Sequence, residues 1–407
     1  MKVLVADAFE KSGLEGLRAA GCEVFYQPDL SGDALVRYLA SSGAEVLVVR
    51  STRVTEPMLD AGDLSLVVRA GAGVNTIDVA GAARRGIYVS NCPGRNAVAV
   101  AELTIGLLLA LDRRIPDNVA DLRAGRWNKK EYARARGLYG RTLGLLGFGS
   151  IGQEVARRAR ALGMDIVVWS PRFTREGAAA LAALPHDLDV TVLHSPEEVA
   201  ERSDALSVHL ALTPETQNFV SAGILGRLKP GALFVNTARA ELVDDAALTQ
   251  AIGTGGVRAA ADVFRAEPSE GTAEFSPALA AESRFYGTHH IGASTEQAQE
   301  AIAAEVVRIV RTYKDAGKVP NAVNLARRTP ATHTLVVRHR DRPGVLAHVF
   351  AELRHRALNA QETENVIFEG AEAAVARINL DAEPDAALLR AIQMGNDDIL
   401  SLHVVKI

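Results

Sequence analysis

The stretch "LGLLGFGSIGQEVARRARALG", residues 143–163, decides the fold. An apolar run typical of a buried strand leads into three glycines spaced G-x-G-x-x-G, and an amphipathic helical run follows. Such a turn lets the backbone approach a pyrophosphate closely, and the helix N-terminus favours its negative charge. We therefore predict a nicotinamide dinucleotide site, the alternative being a glycine-rich turn without a ligand. Its predicted contacts are Gly147, Gly149, Ser150, Ile151 and Gly152.

The next strand, "DIVVWS" at 165–170, bears on the choice between NAD and NADP. NAD-binding folds carry an acid about 20 residues after the glycine turn, where it binds the ribose hydroxyls. Here Ser170 occupies that position, and Arg172 follows it. A missing carboxylate removes repulsion against a 2′-phosphate, and an arginine can bind one. We predict that both residues contact the cofactor, taken as NAD with NADP left open. A solvated Arg172 is the alternative.

On both sides of this unit, short β-branched runs alternate with helical stretches from residue 2 to about 325, which predicts parallel sheets with crossover helices. After a proline-containing linker at 317–332, the order becomes βαββαβ. The predicted fold class is α/β, with two Rossmann-like doubly wound parallel-sheet domains and a C-terminal ferredoxin-like domain. The strands predicted before the linker are 2–6, 45–49, 66–71, 87–91, 142–147, 165–170, 205–210, 232–237, 258–264 and 284–290.

The composition excludes several classes of protein. Of 407 residues, 48% are hydrophobic and 23% charged, and no run approaches the ~20 apolar residues of a membrane span. A net charge of −4 gives no basic surface for nucleic acid, and two cysteines give no disulfide framework. We expect a cytoplasmic protein without a metal ion, whose partners include neither nucleic acid nor a membrane.

Polar side chains follow three predicted strands downstream of the glycine turn. Arg239 lies in "VNTARAEL", Glu267 in "ADVFRAEP", and His289 and His290 in "GTHHIGAST". Parallel strands bring their carboxyl ends to one edge of a sheet, where ligands bind. An arginine grips a carboxylate, a histidine takes a hydroxyl proton as hydride leaves, and a glutamate stabilises the imidazolium. The set predicts hydride transfer to or from a 2-hydroxy acid, although each residue alone is more often structural.

These runs, together with "RAGAGVNTIDV", "NAVAVAELTIGLLLALDRRIP", "GLLGFGSIG" and "HIGASTEQAQ", resemble the D-isomer-specific 2-hydroxyacid dehydrogenases. The resemblance implies a substrate-binding domain at 1–98 and 291–325 and a dinucleotide-binding domain at 99–290. The tail, with "LVVRHRDRPGVLAHVF", resembles the ACT regulatory module, a small-molecule-binding domain that pairs its sheets between subunits. It implies a third domain at 333–407.

The resemblance also implies a role for each matching residue. Arg239 would bind the substrate carboxylate and carbonyl, Glu267 would pair with the histidine, and His290 would be the acid and base. Family members usually carry proline where this chain has His289, so that residue is the departure. The further cofactor contacts implied are Thr213, Ala238 and Asp262, and the implied substrate contacts are Arg50, Arg53, Ala72, Gly73 and Asn96.

For the activity, the resemblance favours an NAD-dependent oxidoreductase that converts 3-phospho-D-glycerate to 3-phosphohydroxypyruvate, the opening step of L-serine synthesis. The alternatives are a general D-2-hydroxyacid, glyoxylate or hydroxypyruvate reductase, with Ser170 and Arg172 favouring NADPH, and a redox-sensing binding protein that keeps the fold. A homodimer or homotetramer is expected. The tail would either serve assembly alone or bind L-serine as an allosteric effector at His339, Asp341 and Asn359.

Overall fold

The computed structural model describes residues 1–182, 184, 185, 187–268, 272–326 and 329–407. The chain divides into two compact units, Met1–Asn324 and Leu325–Ile407, and each is described by itself. We call them the first unit and the C-terminal unit. Among the helices of the described residues, none combines the length and the apolar character needed to cross a bilayer.

The first unit begins with a five-stranded parallel sheet. Its strands are β1 Lys2–Val5, β2 Glu23–Tyr26, β3 Val46–Val49, β4 Leu66–Arg69 and β5 Tyr88–Asn91, in the order β2-β1-β3-β4-β5. The central strands are buried on both faces, as expected for a parallel sheet covered by helices. Leu4 and Leu47 pack on one face, and Val5 and Val48 on the other. The helices of this part are α1 Lys11–Ala19, α2 Gly32–Ser42, α3 Glu56–Leu59 and α4 Val79–Arg84.

A seven-stranded parallel sheet follows, reached through α5 Ala97–Arg113, α6 Ile115–Arg123 and α7 Lys129–Tyr132. Its strands are β6 Thr142–Leu146, β7 Asp165–Trp169, β8 Thr191–Val192, β9 Ala205–Val208, β10 Leu233–Asn236, β11 Arg258–Ala261 and β12 Phe285–Gly287. Their order is β12-β11-β10-β9-β6-β7-β8, so the winding direction reverses between β6 and β9. Ligands bind at such a reversal, beyond the carboxyl ends of the strands.

Short helices cover this second sheet. The α-helices are α8 Ser150–Ala161, α9 Pro171–Glu176, α10 Ala178–Ala182, α11 Pro196–Arg202, α12 Ala222–Leu225 and α13 Asp245–Gly253, and the 3-10 helices are Pro214–Thr216, Ala240–Leu242 and Ala278–Ala281. The long helix α14, Glu296–Ala316, then returns to the first sheet, where Ile302 and Val306 join the core of Val5 and Val48. The domain boundaries drawn from the sequence stay a prediction.

The C-terminal unit is a four-stranded antiparallel sheet with two helices. Its elements are β13 His333–Arg340, α15 Val345–His355, β14 Ala360–Ile367, β15 Ala373–Leu380, α16 Ala386–Met394 and β16 Ile399–Lys406, and the strand order is β14-β15-β13-β16. Alternate residues of the central strand β13, Leu335 and Val337, are buried in the same core as Val349 and Ile392 of the helices. This alternation is expected when helices cover one face of an antiparallel sheet.

The predicted α/β fold class is confirmed, and the differences lie at strand ends and sheet edges. β2 and β8 were not predicted, and each lies at an edge of its sheet, where strands are short or exposed and carry a weaker apolar signal. The strands predicted at 258–264 and 284–290 end earlier, at Ala261 and Gly287. Asp262 and His290 therefore lie in loops beyond the sheet edge rather than within strands.

Candidate active site

The glycine turn leaves room for a ligand at one position. Gly147 has a positive φ of 101°, and a Cβ there would collide with the backbone of His209. A Cβ on Gly152 would lie 2.5 Å from the carbonyl oxygen of Gly147. In contrast, a Cβ on Gly149 would meet no atom within 4 Å, and no side chain caps the start of α8. The open space beside uncapped backbone N–H groups fits a dinucleotide pyrophosphate.

The loop after β10 holds Arg239 in place. The side chain of Asn236 accepts a hydrogen bond from the backbone N–H of Ala238 (3.0 Å) and donates one to the carbonyl oxygen of Arg239 (2.8 Å). The guanidinium donates to the carbonyl of Ala238 at 2.6 Å and approaches the backbone of Gly73 in the loop after β4. Burial lowers its pKa, opposed by the carboxylates of Glu241 and Glu267. A desolvated arginine at this place is suited to an anionic substrate.

His290 and Glu267 form a pair. The Nδ1 atom of His290 lies 2.7 Å from Oε2 of Glu267, and Oε1 accepts the backbone N–H of Phe264 at 2.7 Å. Burial of Glu267 opposes ionisation, but the hydrogen bonds from His290 and Phe264 outweigh it, so its pKa is lowered. Because Nδ1 is engaged by the carboxylate, Nε2 is the nitrogen left for proton transfer. This is the geometry of a histidine oriented by an acid.

Asp262 fixes the loop that carries this histidine. Its side chain is 1% exposed, and its oxygens accept hydrogen bonds from Thr288 Oγ1 (2.6 Å) and from the backbone N–H groups of Ile291 and Gly292 (both 2.8 Å). His290 itself adopts a positive φ of 51°, a conformation that most residues avoid. The predicted contact of Asp262 with the cofactor stays a prediction. In the structure, its carboxylate also holds the loop that carries His290.

The last residue of β4 is an arginine that the sequence analysis did not single out. The Arg69 guanidinium fills the space beside Gly71, whose φ of 149° leaves no room for a side chain. Burial, aided by the charges of Arg239 and Arg50, lowers its pKa to about 10. The guanidinium groups of Arg69 and Arg239 therefore lie against the same short loop, and the charge of Arg50 also acts on Arg69. The only sequence signal was a charge at the end of an apolar strand.

A cleft of about 410 Å³ joins these loops. Of the residues predicted from the sequence, it is lined by Ala72, Gly73, Asn96, Ile151, Ala238, Arg239, Asp262 and His290. The predicted residues outside this lining are Arg50, Arg53, Gly147, Gly149, Ser150, Gly152, Ser170, Arg172, Thr213 and Glu267. Arg53 is exposed, whereas Arg50 lies in a loop held by Asp7, which accepts its backbone N–H at 2.6 Å. His289 is exposed beside the catalytic pair.

Several buried polar atoms in the lining residues have no partner in the described part of the chain. They are Nε of Arg69, Oδ1 of Asn96 and Nδ1 of His209. Burial lowers the pKa of His209 to about 3, so its ring is neutral, and Nε2 lies 2.9 Å from Ser207 Oγ. Unsatisfied buried polar atoms are costly, so their concentration here fits a site that is completed by a polar ligand. No sequence motif pointed to His209.

The three predicted effector residues of the C-terminal unit are not brought together within one chain. His339 is 1% exposed; its Nδ1 donates to the carbonyl of Arg340 at 2.8 Å, and Nε2 lies 3.2 Å from Oδ1 of Asn365. Asp341 follows the end of β13 that pairs with Ala373. Asn359 precedes the end of β14 that pairs with Leu380, at the opposite end of the sheet. The serine site predicted at these three residues therefore stays a prediction.

Comparison with known proteins agrees with this geometry. Residues 105–318 match the family model described as D-isomer specific 2-hydroxyacid dehydrogenase, NAD binding domain. A D-3-phosphoglycerate dehydrogenase from Methanocaldococcus jannaschii is 33% identical over 383 residues, 93% of this chain and 67% of that protein. A hydroxypyruvate reductase from Thermotoga maritima is 39% identical over 291 residues, 71% of this chain and 89% of that protein.

Solved structures agree as well. The TT0316 protein from Thermus thermophilus has a TM-score of 0.68 at 33% identity, covering 79% of this chain and 100% of that one. The NAD+-bound 3-phosphoglycerate dehydrogenase of Entamoeba histolytica has a TM-score of 0.64 at 26% identity, covering 80% and 99%. The chain spans 59% and 57% of the D-3-phosphoglycerate dehydrogenases of Archaeoglobus fulgidus and Synechocystis. With the glycine turn and the arginine, glutamate and histidine in place, the chain belongs to the D-isomer specific 2-hydroxyacid dehydrogenase family.

Proposed function

We propose that the protein oxidises 3-phospho-D-glycerate to 3-phosphohydroxypyruvate with a nicotinamide cofactor, the opening step of L-serine synthesis. The observation that carries the proposal is the pair of guanidinium groups at the Gly71–Gly73 backbone, Arg69 beside Gly71 and Arg239 beside Gly73, together with the charge of Arg50, which helps to lower the pKa of Arg69. One arginine suffices for the carboxylate of a simple 2-hydroxy acid. Two more suit a substrate that also carries a phosphate, since arginine binds phosphate oxygens bidentately.

Different residues of the chain then bind the substrate and transfer the proton. Arg239 binds the substrate carboxylate, and His290 Nε2 takes the proton of the C2 hydroxyl while Glu267 stabilises the imidazolium that forms. The glycine turn at 147–152 would hold the cofactor, which supplies the hydride acceptor when bound. In the reverse direction the protonated His290 returns the proton to the carbonyl oxygen.

A second activity has a specific observation in its favour. The Thermotoga maritima relative, 39% identical over 291 residues, is named hydroxypyruvate reductase. A general D-2-hydroxyacid, glyoxylate or hydroxypyruvate reductase would use the same Arg239, Glu267 and His290, but it would not need Arg69. The arginine set favours the phosphorylated substrate.

The test compares kcat/KM for reduction of 3-phosphohydroxypyruvate, hydroxypyruvate and glyoxylate. We expect the phosphorylated substrate to be preferred by at least about tenfold, and Arg69→Met to remove that preference while glyoxylate reduction stays within about threefold. Arg53→Met serves as the comparison, because Arg53 is exposed and outside the cleft lining. Equal kcat/KM values for the three substrates in the wild-type protein would contradict the proposal.

We also propose that two copies of the chain associate and that L-serine binds between their C-terminal units. Asp341 and Asn359 lie at opposite ends of the sheet in one chain, so a second copy is needed to bring such a pair together. A two-fold axis perpendicular to the strands does this, because it reverses the strand direction in the second copy and so places each end of one sheet beside the other end of its partner. The choice between dimer and tetramer and the cytoplasmic location stay predictions.

A further inference from the structure

We propose that Asp7 holds the loop after β3 in the shape that lets Arg50 bind the phosphate of the substrate, and that the chain thereby selects a phosphorylated acid. The inference rests on the proposed substrate and adds a residue that acts through another one, so Asp7 is a positioning residue. It lies two residues after the end of β1, at the carboxyl edge of the first sheet. There β1, β3 and β4 are neighbours, so the residues that follow them lie side by side.

The carboxylate of Asp7 binds three successive residues of this loop. Its Oδ2 accepts the backbone N–H groups of Arg50 (2.6 Å), Ser51 (3.1 Å) and Thr52 (3.0 Å). Its Oδ1 accepts the hydroxyl groups of Ser51 at 3.2 Å and Thr52 at 3.0 Å. Successive backbone N–H groups that point at one place form a concave site for an anion. Here a carboxylate of the chain itself occupies that site and fixes the backbone of the loop.

The loop therefore offers side chains, and not these N–H groups, to a phosphate. Arg50 makes the shortest of the five hydrogen bonds, and its charge helps to lower the pKa of Arg69 at the end of β4. The Arg69 guanidinium lies beside Gly71, and Arg239 approaches the same loop at Gly73. Fixing the backbone at residue 50 thus fixes the start of one of the cationic side chains on this edge of the sheet.

The hydrogen bonds of Asp7 act on one arginine of the loop and not on the other. Arg50 is half-buried, whereas Arg53 is exposed and follows the last residue that Asp7 binds. The far end of the loop is held separately, since the backbone N–H of Val54 donates to the carbonyl oxygen of Thr76 at 2.8 Å. An arginine whose backbone is already fixed loses less conformational freedom when it binds an anion. Asp7 should therefore strengthen phosphate binding by Arg50.

The charge of Asp7 offers a different explanation, because it opposes the effect of burial on the pKa of Arg69. Two substitutions separate charge from position. Asp7→Asn keeps the shape and an acceptor oxygen but removes the charge. Asp7→Glu keeps the charge but moves the carboxylate by one methylene group, away from the point where the three N–H groups meet. Positioning requires that Asp7→Asn retains function and that Asp7→Glu loses it, and an effect of charge requires the reverse.

The test is steady-state reduction of 3-phosphohydroxypyruvate, with glyoxylate, which has no phosphate, as the reference. We expect Asp7→Ala and Asp7→Glu to raise KM for 3-phosphohydroxypyruvate by at least about tenfold, with kcat and the kcat/KM for glyoxylate within about threefold of the wild type. Asp7→Asn should raise that KM less than about threefold. Asp29→Ala removes an exposed carboxylate from the loop after β2, at the same sheet edge, and should change neither reaction.

A double variant shows whether Asp7 acts through Arg50. Asp7→Ala should raise KM of an Arg50→Met chain by less than about twofold, because the side chain that it positions is already gone. Losses that multiply in the double variant would overturn the inference, and so would Asp7→Glu with the KM of the wild type. Glyoxylate reduction reports whether each variant is folded. Where Asp7→Ala does not fold, the contrast between Asp7→Asn and Asp7→Glu decides.

The same assays separate this inference from the proposed substrate. A wild-type protein without a preference for 3-phosphohydroxypyruvate would overturn the proposed substrate and the role of Asp7 with it. A wild-type preference that Asp7→Ala leaves intact or increases would overturn the role of Asp7 alone.

Discussion

The two units of the chain differ in whether the site residues predicted from the sequence lie together in one copy. In the first unit, residues that are far apart in sequence, such as Arg239 and His290, line one cleft. In the C-terminal unit, Asp341 and Asn359 lie at opposite ends of one sheet. The difference follows from strand direction. Parallel strands all end at the same edge, so loops after successive strands converge, whereas antiparallel strands end alternately at two edges.

The largest effect expected in the first unit comes from the histidine itself. His290→Asn removes the proton acceptor, so kcat should fall by about 10³-fold, the size typical of a lost general base. His289→Asn is the matched control: it makes the same change one residue earlier, at an exposed side chain, and should leave kcat within about twofold. Steady-state assays of both variants measure this. A larger fall of kcat in His289→Asn than in His290→Asn would mean that His289, and not His290, is the proton acceptor.

A smaller loss is expected from Glu267→Gln. The amide keeps the size of the side chain but cannot stabilise the imidazolium, so kcat should fall by about 10- to 100-fold.

The pH profile checks the cause. The pKa of Glu267 is lowered from 4.5, so in the wild type its carboxylate is already ionised above that pH and protonates only on further acidification. The loss in Glu267→Gln should therefore be present across the whole range from neutral to alkaline pH. Glu274→Gln, an exposed acid in the connection between β11 and β12, is the control. If kcat of Glu267→Gln equals that of the wild type near neutral pH, Glu267 only packs against His290 and does not stabilise its charged form.

The sequence was sufficient to predict features that follow from the direction of the strands. It did not predict features that depend on which way an individual side chain points. Glycine spacing predicted the turn between β6 and α8, and the polar residues after β10, β11 and β12 were predicted to lie at one sheet edge, where the structure has them. Arg69 and His209 were missed because a lone charge at a strand end or a lone buried histidine has no pattern; only the fold turns them toward the cleft. In the tail, the matching residues gave no information on which end of the sheet each would occupy.

A change at Glu305 is expected to have an intermediate effect, on the free energy of unfolding rather than on catalysis. Glu305, on α14, is 4% exposed and accepts hydrogen bonds from Arg95 (2.8 Å), Arg308 (3.0 Å) and Asn321 (2.8 Å). Arg95 lies in the segment that joins the two sheets, so this carboxylate connects that segment to the returning helix. The hydrogen bonds from Arg308, opposed by burial and aided by Asn321 and Arg95, lower its pKa to about 2.

Glu305→Gln should therefore lower the free energy of unfolding of the first unit at pH 7 by about 2 to 3 kcal/mol. The folded pKa lies below the unfolded value, so the stabilisation is full above pH 4.5 and is lost as the pH falls toward 2. The variant should accordingly approach the wild type in acid. Urea unfolding followed by tryptophan fluorescence reports on this unit alone, because Trp127 and Trp169 both lie in it. Glu300→Gln, exposed on the same helix, is the control.

Variants of the C-terminal unit are expected to change catalysis least. They also test most directly how the two units differ. Asp341→Ala and Asn359→Ala should each leave kcat without serine unchanged and abolish inhibition by serine. If each effector site combines Asp341 of one copy with Asn359 of its partner, a dimer of one Asp341→Ala chain and one Asn359→Ala chain has one site without either residue and one intact site. Unfolding the two variants together and refolding them should place about half of the chains in such dimers. Serine inhibition should then return in part, although neither variant shows it alone. Its failure to return would mean that the two residues act within the same chain or do not bind serine, and the contrast between the complete and the shared site would be lost.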